Sequence, residues 1–172
     1  KGTVLEIGIG SGLNIPFYNK REINKVYGLD PSAELCEMAI KTAKDNQIDV
    51  NILINGAEEI KLASNTIDSV LITYTLCSIP NFNDALKEIK RVMKSDGNIF
   101  FCEHGIAPDP KIKKWQNRIN PLWSKLFGGC NINRDIPFII NEAGFEFKSL
   151  QQMYLPSTPK IVGYNYWGVA SI

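Results

Sequence analysis

Residues 3–12 read Thr3-Val-Leu-Glu-Ile-Gly8-Ile-Gly10-Ser-Gly12, an apolar run that ends abruptly in a glycine-rich turn. The run Thr3–Ile7 has the composition of a buried strand. The glycines that follow suit a chain that turns sharply or brings its backbone against a ligand with no Cβ in the way. Amides exposed at the start of the next helix would then favour a ligand anion. The spacing is not that of a dinucleotide fingerprint, because the third glycine comes one residue early and position 13 is Leu. A phosphate-binding P-loop is also excluded, since the required lysine is missing. A second strand, Lys25–Leu29, stops at Asp30, about twenty residues on, where a carboxylate can accept both hydroxyls of a ribose.

Further out, short apolar runs alternate with segments of helical period, the pattern of a parallel sheet covered by helices on both faces. A short helix is expected to reach from the glycine turn towards Lys20. Ser32 is placed to cap a helix with Leu35, Met38, Ala39, Thr42 and Ala43 inward. Val50–Ile54 reads as a third strand, and Thr66–Thr73 as a fourth, buried on both faces. Asp84–Lys94 is expected as a helix closed by Asp96-Gly97, before a fifth strand over Asn98–Cys102. Two last strands, about Phe145–Tyr154 and Ile161–Ala170, flank Pro156-Ser-Thr-Pro159, a link too short for a crossover helix, so they should be antiparallel neighbours. The expected fold is thus α/β and doubly wound, with a mostly parallel seven-stranded sheet ending in an antiparallel pair. Residues 1–172 make one domain, in which 105–140 cover the acceptor side. The chain opens directly on a strand, with no start methionine, which implies a helical segment upstream.

The 172 residues suffice for a single core. A net charge of +1 gives no field to gather nucleic acid or an anionic membrane. Cys36, Cys77, Cys102 and Cys130 form no CxxC pair and have no histidine close in sequence, so the spacing argues against a zinc site and against a disulfide framework. No apolar run is long enough to span a bilayer and no signal peptide is visible, so the compartment reads as reducing and cytoplasmic.

The run Glu6-x-Gly8-x-Gly10-x-Gly12 resembles the first motif of class I S-adenosylmethionine-dependent methyltransferases, in the group that includes ubiquinone and menaquinone C-methylases. The resemblance continues through Ala57-Glu58, Ile67-Asp68 and Arg91–Gly97. It implies a Rossmann-like fold and S-adenosyl-L-methionine as cofactor. The residues around that cofactor would be Glu6, Gly8, Gly10, Gly12, Asn14, Asp30, Pro31, Ala57, Glu58, Thr73 and Tyr74. A nucleoside bearing a zwitterionic amino acid needs a few amides for its carboxylate and an acidic environment for its ammonium and sulfonium charges. Where the family often has an aspartate this chain has Gly56, so a contact to the adenine amino group is absent or made by backbone. A narrower set, Thr75–Asn81, Glu103-His104, Trp115-Gln116 to Trp123, Gly129-Cys130 with Arg134, and Tyr164–Ala170, is similar to alkyl-thiol methyltransferases. Membrane-anchored members of that group carry an N-terminal hydrophobic helix that does not appear here.

The acceptor implied is a small, rather apolar molecule, a thiol first and a quinone-type carbon or a lipid amine behind it. A thiol needs only modest help to ionise, whereas a hydroxyl or carbon acid needs a true base. His104, the only histidine, ends the fifth strand at the edge where such folds bind ligands. It reads either as a hydrogen-bonded strand-end residue or as the catalytic group that contacts or deprotonates the acceptor. Glu103 reads as a solvated or structural neighbour, Cys77 as a small packed residue, Cys36 and Cys102 as core, and Cys130 as a loop residue. Lys111–Trp123 has an apolar stripe and a basic face. It is read first as a cover helix broken near Pro121, and second as a peripheral contact with a membrane. A non-catalytic binding protein and a nicotinamide oxidoreductase are the rival readings, the latter disfavoured by the glycine spacing.

Overall fold

The computed structural model describes residues 1–172. Seven strands, β1 (Gly2–Ile7), β2 (Ile23–Leu29), β3 (Val50–Leu53), β4 (Ile67–Thr73), β5 (Met93–His104), β6 (Glu146–Tyr154) and β7 (Tyr164–Ser171), form one sheet. Its order is β3-β2-β1-β4-β5-β7-β6. The first five strands run parallel, and β7 is antiparallel to both β5 and β6, as the short Pro156–Pro159 link requires. The order reverses between β1 and β4, and their carboxyl ends, at Ile7 and Thr73, frame the crevice where open parallel sheets take their ligands.

Four helices accompany the sheet: α1 (Ala33–Asp45), α2 (Phe82–Val92), α3 (Pro110–Leu126) and α4 (Ile136–Glu142). The main core lies between one face of the sheet and the helices α2 and α4. Leu5, Ile7, Val70, Ile72, Ile99 and Phe101 meet Leu86, Ile89, Ile136 and Ile140 there. Removing such a side chain, as in Leu86→Ala, costs about 2–5 kcal/mol. A smaller cluster of Ile9, Ile15, Ala39 and Ala43 seats α1 on the other face.

Several local expectations are corrected. The helix after the glycine turn is only a 3-10 turn at Ile15–Phe17, since two glycines and Pro16 leave little to propagate a helix. In α1 the inward residues are Cys36, Ala39 and Ala43, while Leu35 and Met38 are exposed. Small residues let the helix lie close to the sheet, and Leu35 turns towards the crevice. α2 ends at Val92, and Met93–Gly97 join β5: Met93 is buried in the main core and Lys94 reaches Asp68 at 2.6 Å. β4 is not buried on both faces, because Leu71 and Thr73, with Phe100, Cys102, Trp167 and Val169, line an open groove on the face away from α2. Cys102 is accordingly half-buried rather than core.

α3 is not broken at Pro121 but continues to Leu126. Side chains in the turns ahead of the proline hold it in place. Gln116 is fully buried; its oxygen accepts from the Ala107 amide at 2.8 Å and its nitrogen faces the carbonyls of Gly105, Ile132 and Ile161. Asn120 accepts from the Ile132 amide at 2.9 Å. These bonds outweigh the one backbone donor that a proline removes. No helix is long and apolar enough to cross a membrane.

Candidate active site

The glycine turn is built by folding its amides back onto the end of β2. The amides of Gly8 and Ile9 both donate to the Leu29 carbonyl, at 2.7 and 3.1 Å. The Gly10 amide donates to Oδ2 of Asp30 at 3.0 Å, and the Ser32 amide to Oδ1 at 2.9 Å. The expectation of a helix start with free amides is therefore not met: four of these donors, including Gly12, which bonds the Ile9 carbonyl, have partners inside the chain. Gly8 sits at φ +72°, and a Cβ there would fall 2.1 Å from Oγ1 of Thr75, so no other residue fits without moving that loop. Gly10, at φ +52°, has nothing within 4 Å of where a Cβ would be and presents bare backbone to the crevice.

Behind the turn lies a buried polar knot. Glu6 accepts from the Tyr18 hydroxyl and from Nδ2 of Asn14 at 2.8 Å, and the same Asn14 nitrogen reaches Oγ1 of Thr73 at 2.8 Å. Burial pushes the Glu6 carboxyl above its ordinary range, against the lowering effect of those two bonds. The Tyr18 hydroxyl is pushed up as well, first by burial and then by the Glu6 charge. The knot ties the carboxyl ends of β1 and β4 together, which fixes the width of the crevice.

The crevice is a cavity of about 430 Å³. Of the residues expected around the cofactor, Gly8, Gly10, Asp30, Pro31, Ala57, Glu58, Thr73 and Tyr74 line it. Glu6, Gly12 and Asn14 do not: Glu6 and Asn14 stand one layer behind, in the knot, and Gly12 packs against Ile15 and α1. Sequence reasoning missed Leu35, which helical spacing assigned to the core, and Ser78, Ile79, Pro80 and Gly128 from the loop after β4 and the cover region. The acidic side chains on the wall are Asp30 and Glu58, with no lysine or arginine among the lining residues. Such a wall repels a pyrophosphate and suits a ligand that carries positive charge beside an apolar ring. A nucleoside with an amino-acid tail and a sulfonium fits that description. At Gly56 a Cβ would stand 2.6 Å from Oε2 of Glu58, so the glycine makes room for that carboxylate.

At the far end, Tyr74 closes the wall. It is the first residue after β4, at φ +50°, and its hydroxyl donates to Oδ1 of Asn165 at 2.8 Å. Its ring lies 6.1 Å from that of His104, inclined by 22°. Glu103 is not solvated: it is fully buried, and it accepts from the amides of Thr75, Leu76 and Cys77 at 2.6, 2.8 and 3.3 Å. Burial still raises its carboxyl above the ordinary value, the three amides pulling the other way. His104 is held at the strand end by pairing with Asn165, not by a side-chain partner on Nδ1, which is buried and unpaired. Its Nε2 lies 3.2 Å from Sγ of Cys130, and Nε1 of Trp123 donates to the same sulfur at 3.4 Å. The Cys130 thiol is pushed down, first by its hydrogen bond with Cys77 and then by those from His104 and Trp123, while Cys77 is pushed up.

A family profile described as a methyltransferase domain matches residues 5–101. The chain belongs to the class I S-adenosylmethionine-dependent methyltransferases. This methyltransferase is 30% identical to human thiol S-methyltransferase TMT1A, over 99% of the chain and 70% of that protein. It is 31% identical to thiol S-methyltransferase TMT1B of Rattus norvegicus, over 94% of the chain and 69% of the relative. The solved structure of a putative methyltransferase from Bacillus halodurans superposes with a TM-score of 0.82, covering 98% of this chain and 91% of that one at 15% identity, a likeness of fold.

Proposed function

We propose that this methyltransferase methylates the sulfur of a small, rather apolar thiol. The observation that carries this reading is the composition of the acceptor end. Beyond Tyr74 stand His104, the sulfurs of Cys77 and Cys130 and the guanidinium of Arg134, while the nearest carboxylate, Glu103, is buried and holds three backbone amides. No free carboxylate stands ready to pull a proton from carbon or a hydroxyl, and a thiol asks for little such help. The name shared by the two relatives above supports the same substrate class.

S-adenosylmethionine would supply the methyl group: a carbon–sulfur bond to the acceptor forms as the sulfonium bond breaks, its electron pair stays on the departing S-adenosylhomocysteine, and the thiol proton is lost. The chain's own part is positioning and exclusion of water. Asp30 would accept the ribose hydroxyls, Leu35, Ile79 and Pro80 would enclose the base, and Thr73 and Tyr74 would border the methionine portion. Gly128, from the turn after α3, also lines the cavity.

The test is product analysis with labelled S-adenosylmethionine and three acceptors of similar size: an alkyl thiol, a hydroquinone and a primary amine lipid. The thioether should form at least tenfold faster than any other product. Preferential methylation of the quinol carbon or the amine would overturn the thiol reading, and no transfer to any of the three would leave cofactor binding without turnover.

A further inference from the structure

Cys77, His104 and Cys130 come from three separate segments, the loop after β4, the end of β5 and the turn after α3, yet one donor atom from each lies within 4.8 Å of the other two. From their linear spacing no metal is expected; the fold supplies what the spacing lacks. Two thiols and an imidazole are the donor types that select zinc, at about 2.3 Å from sulfur and 2.0–2.1 Å from nitrogen. Tetrahedral angles at those bond lengths separate the ligand atoms by roughly 3.6–3.8 Å. The Cys130–His104 pair stands at 3.2 Å and no pair is wider than 4.8 Å, so changes in separation of about an ångström complete the triangle.

Two of the three donors, the cysteines, are braced by neighbouring side chains. Glu103 gathers the amides that carry Cys77. Asn131 binds the Cys77 carbonyl through both its backbone amide, at 3.0 Å, and its side chain, at 3.1 Å, so the segment bearing Cys130 is stitched to the segment bearing Cys77. Trp123 donates to the Cys130 sulfur, and His104 is fixed in the β5–β7 ladder. Supporting bonds of this kind are what set ligand geometry in metal sites. The charges also balance: two thiolates neutralise a dication, and the guanidinium of Arg134, bonded to the Leu76 carbonyl, is offset by Glu103.

We infer that Cys77, His104 and Cys130 bind one zinc ion, and that its fourth position takes the sulfur of the acceptor thiol. Three protein ligands with one open position is the pattern of a catalytic rather than a structural zinc. The position borders the crevice, because Tyr74 lies on the cavity wall and against the His104 ring. A thiol entering there replaces a bound water, and its S–H proton passes to solvent, leaving the acceptor as a metal-held thiolate. The inference rests on the thiol reading for the identity of the fourth ligand, but its test needs no methyl transfer.

The test is cobalt(II) titration of the metal-stripped protein under reducing conditions, with zinc content measured in parallel. Wild type should take up one equivalent, with a thiolate-to-cobalt charge-transfer band and the visible bands of a tetrahedral ion. Cys77→Ser and Cys130→Ser should each weaken binding by at least the ~100-fold that loss of even a supporting partner can cause. Cys102→Ser should leave it intact. Propanethiol, without S-adenosylmethionine, should strengthen the charge-transfer band. No uptake by wild type, uptake that survives both serine variants, or a spectrum indifferent to propanethiol would each overturn the inference. Full thiol methylation by metal-free protein would overturn it while sparing the thiol reading. A thiol-sensitive cobalt spectrum in a protein that methylates only amines would do the reverse.

Discussion

Asp30→Ala separates two roles that one carboxylate can hold. Its oxygens offer about four acceptor sites. Two are taken by the amides of Gly10 and Ser32, at 3.0 and 2.9 Å, which leaves two for the hydroxyls of a ribose. Hydrogen bonds to a charged group contribute about 1.5–3 kcal/mol each, so losing the pair at the lower end costs about 3 kcal/mol. That corresponds to roughly a 100-fold rise in Kd. Asp30→Asn retains one carbonyl oxygen and should fall between, at about tenfold. The assay is calorimetric titration with S-adenosylhomocysteine, with circular dichroism and a thermal melt to establish that each variant is folded. A folded Asp30→Ala protein that binds within about threefold of wild type would refute the reasoning. Asp30 would then be only a brace between the glycine turn and the cap of α1.

Three further predictions follow from the same geometry. Glu103→Ala strips acceptors from three backbone amides and should cost about 3 kcal/mol or more, lowering Tm by about 6–12 °C; a melt unchanged within 2 °C, about the shift expected for a single kcal/mol, would show that water replaces the carboxylate without penalty. Glu6 has a folded-state value raised above the ordinary 4.5 by burial, so its contribution is greatest below that value and is lost as pH rises through the raised one. Urea unfolding should therefore show Glu6→Gln gaining on wild type from pH 4.5 upward, and parallel curves would contradict the assignment. Gly8→Ala must accommodate a left-handed backbone and a clash with Thr75; it should destabilise the protein by about 2 kcal/mol and weaken nucleoside binding, and an unaltered titration would show the turn to be pliant.

The sheet was legible because its signals are local. Apolar runs ending in turn residues mark five parallel strands, and a proline-bounded link too short for a helix fixes the sense of β6 and β7. Boundaries went astray where tertiary contacts decide them: helical periodicity persists to Lys94, but the core claims Met93 for β5 and Asp68 claims Lys94. The crevice was legible for the same reason as the strands, since its glycines and Asp30 sit at strand ends within one unit. Glu6 and Asn14 were read as ligand contacts because sequence gives nearness to the crevice and not the layer in which a side chain lies. The cluster of Cys77, His104 and Cys130 was hardly legible. Twenty-six positions separate Cys130 from His104, and only the adjacency of β4 and β5, with a cover folded over both, brings the sulfurs to the imidazole.

Gln116 has a consequence for how such a protein diversifies. One buried amide side chain, meeting four backbone groups, is a rivet that draws the two ends of the insertion between β5 and α4 together and ties them to the link ahead of β7. The matched family region ends at Phe101, short of that insertion. A lineage can therefore rewrite the insertion while the crevice walls at the ends of β1, β2 and β4 stay in place and only the contact at Gly128 changes, provided the rivet survives. Exchange of this cassette between related enzymes is the engineering counterpart: grafts that keep the glutamine should fold, and grafts that lose it should leave the cover unmoored.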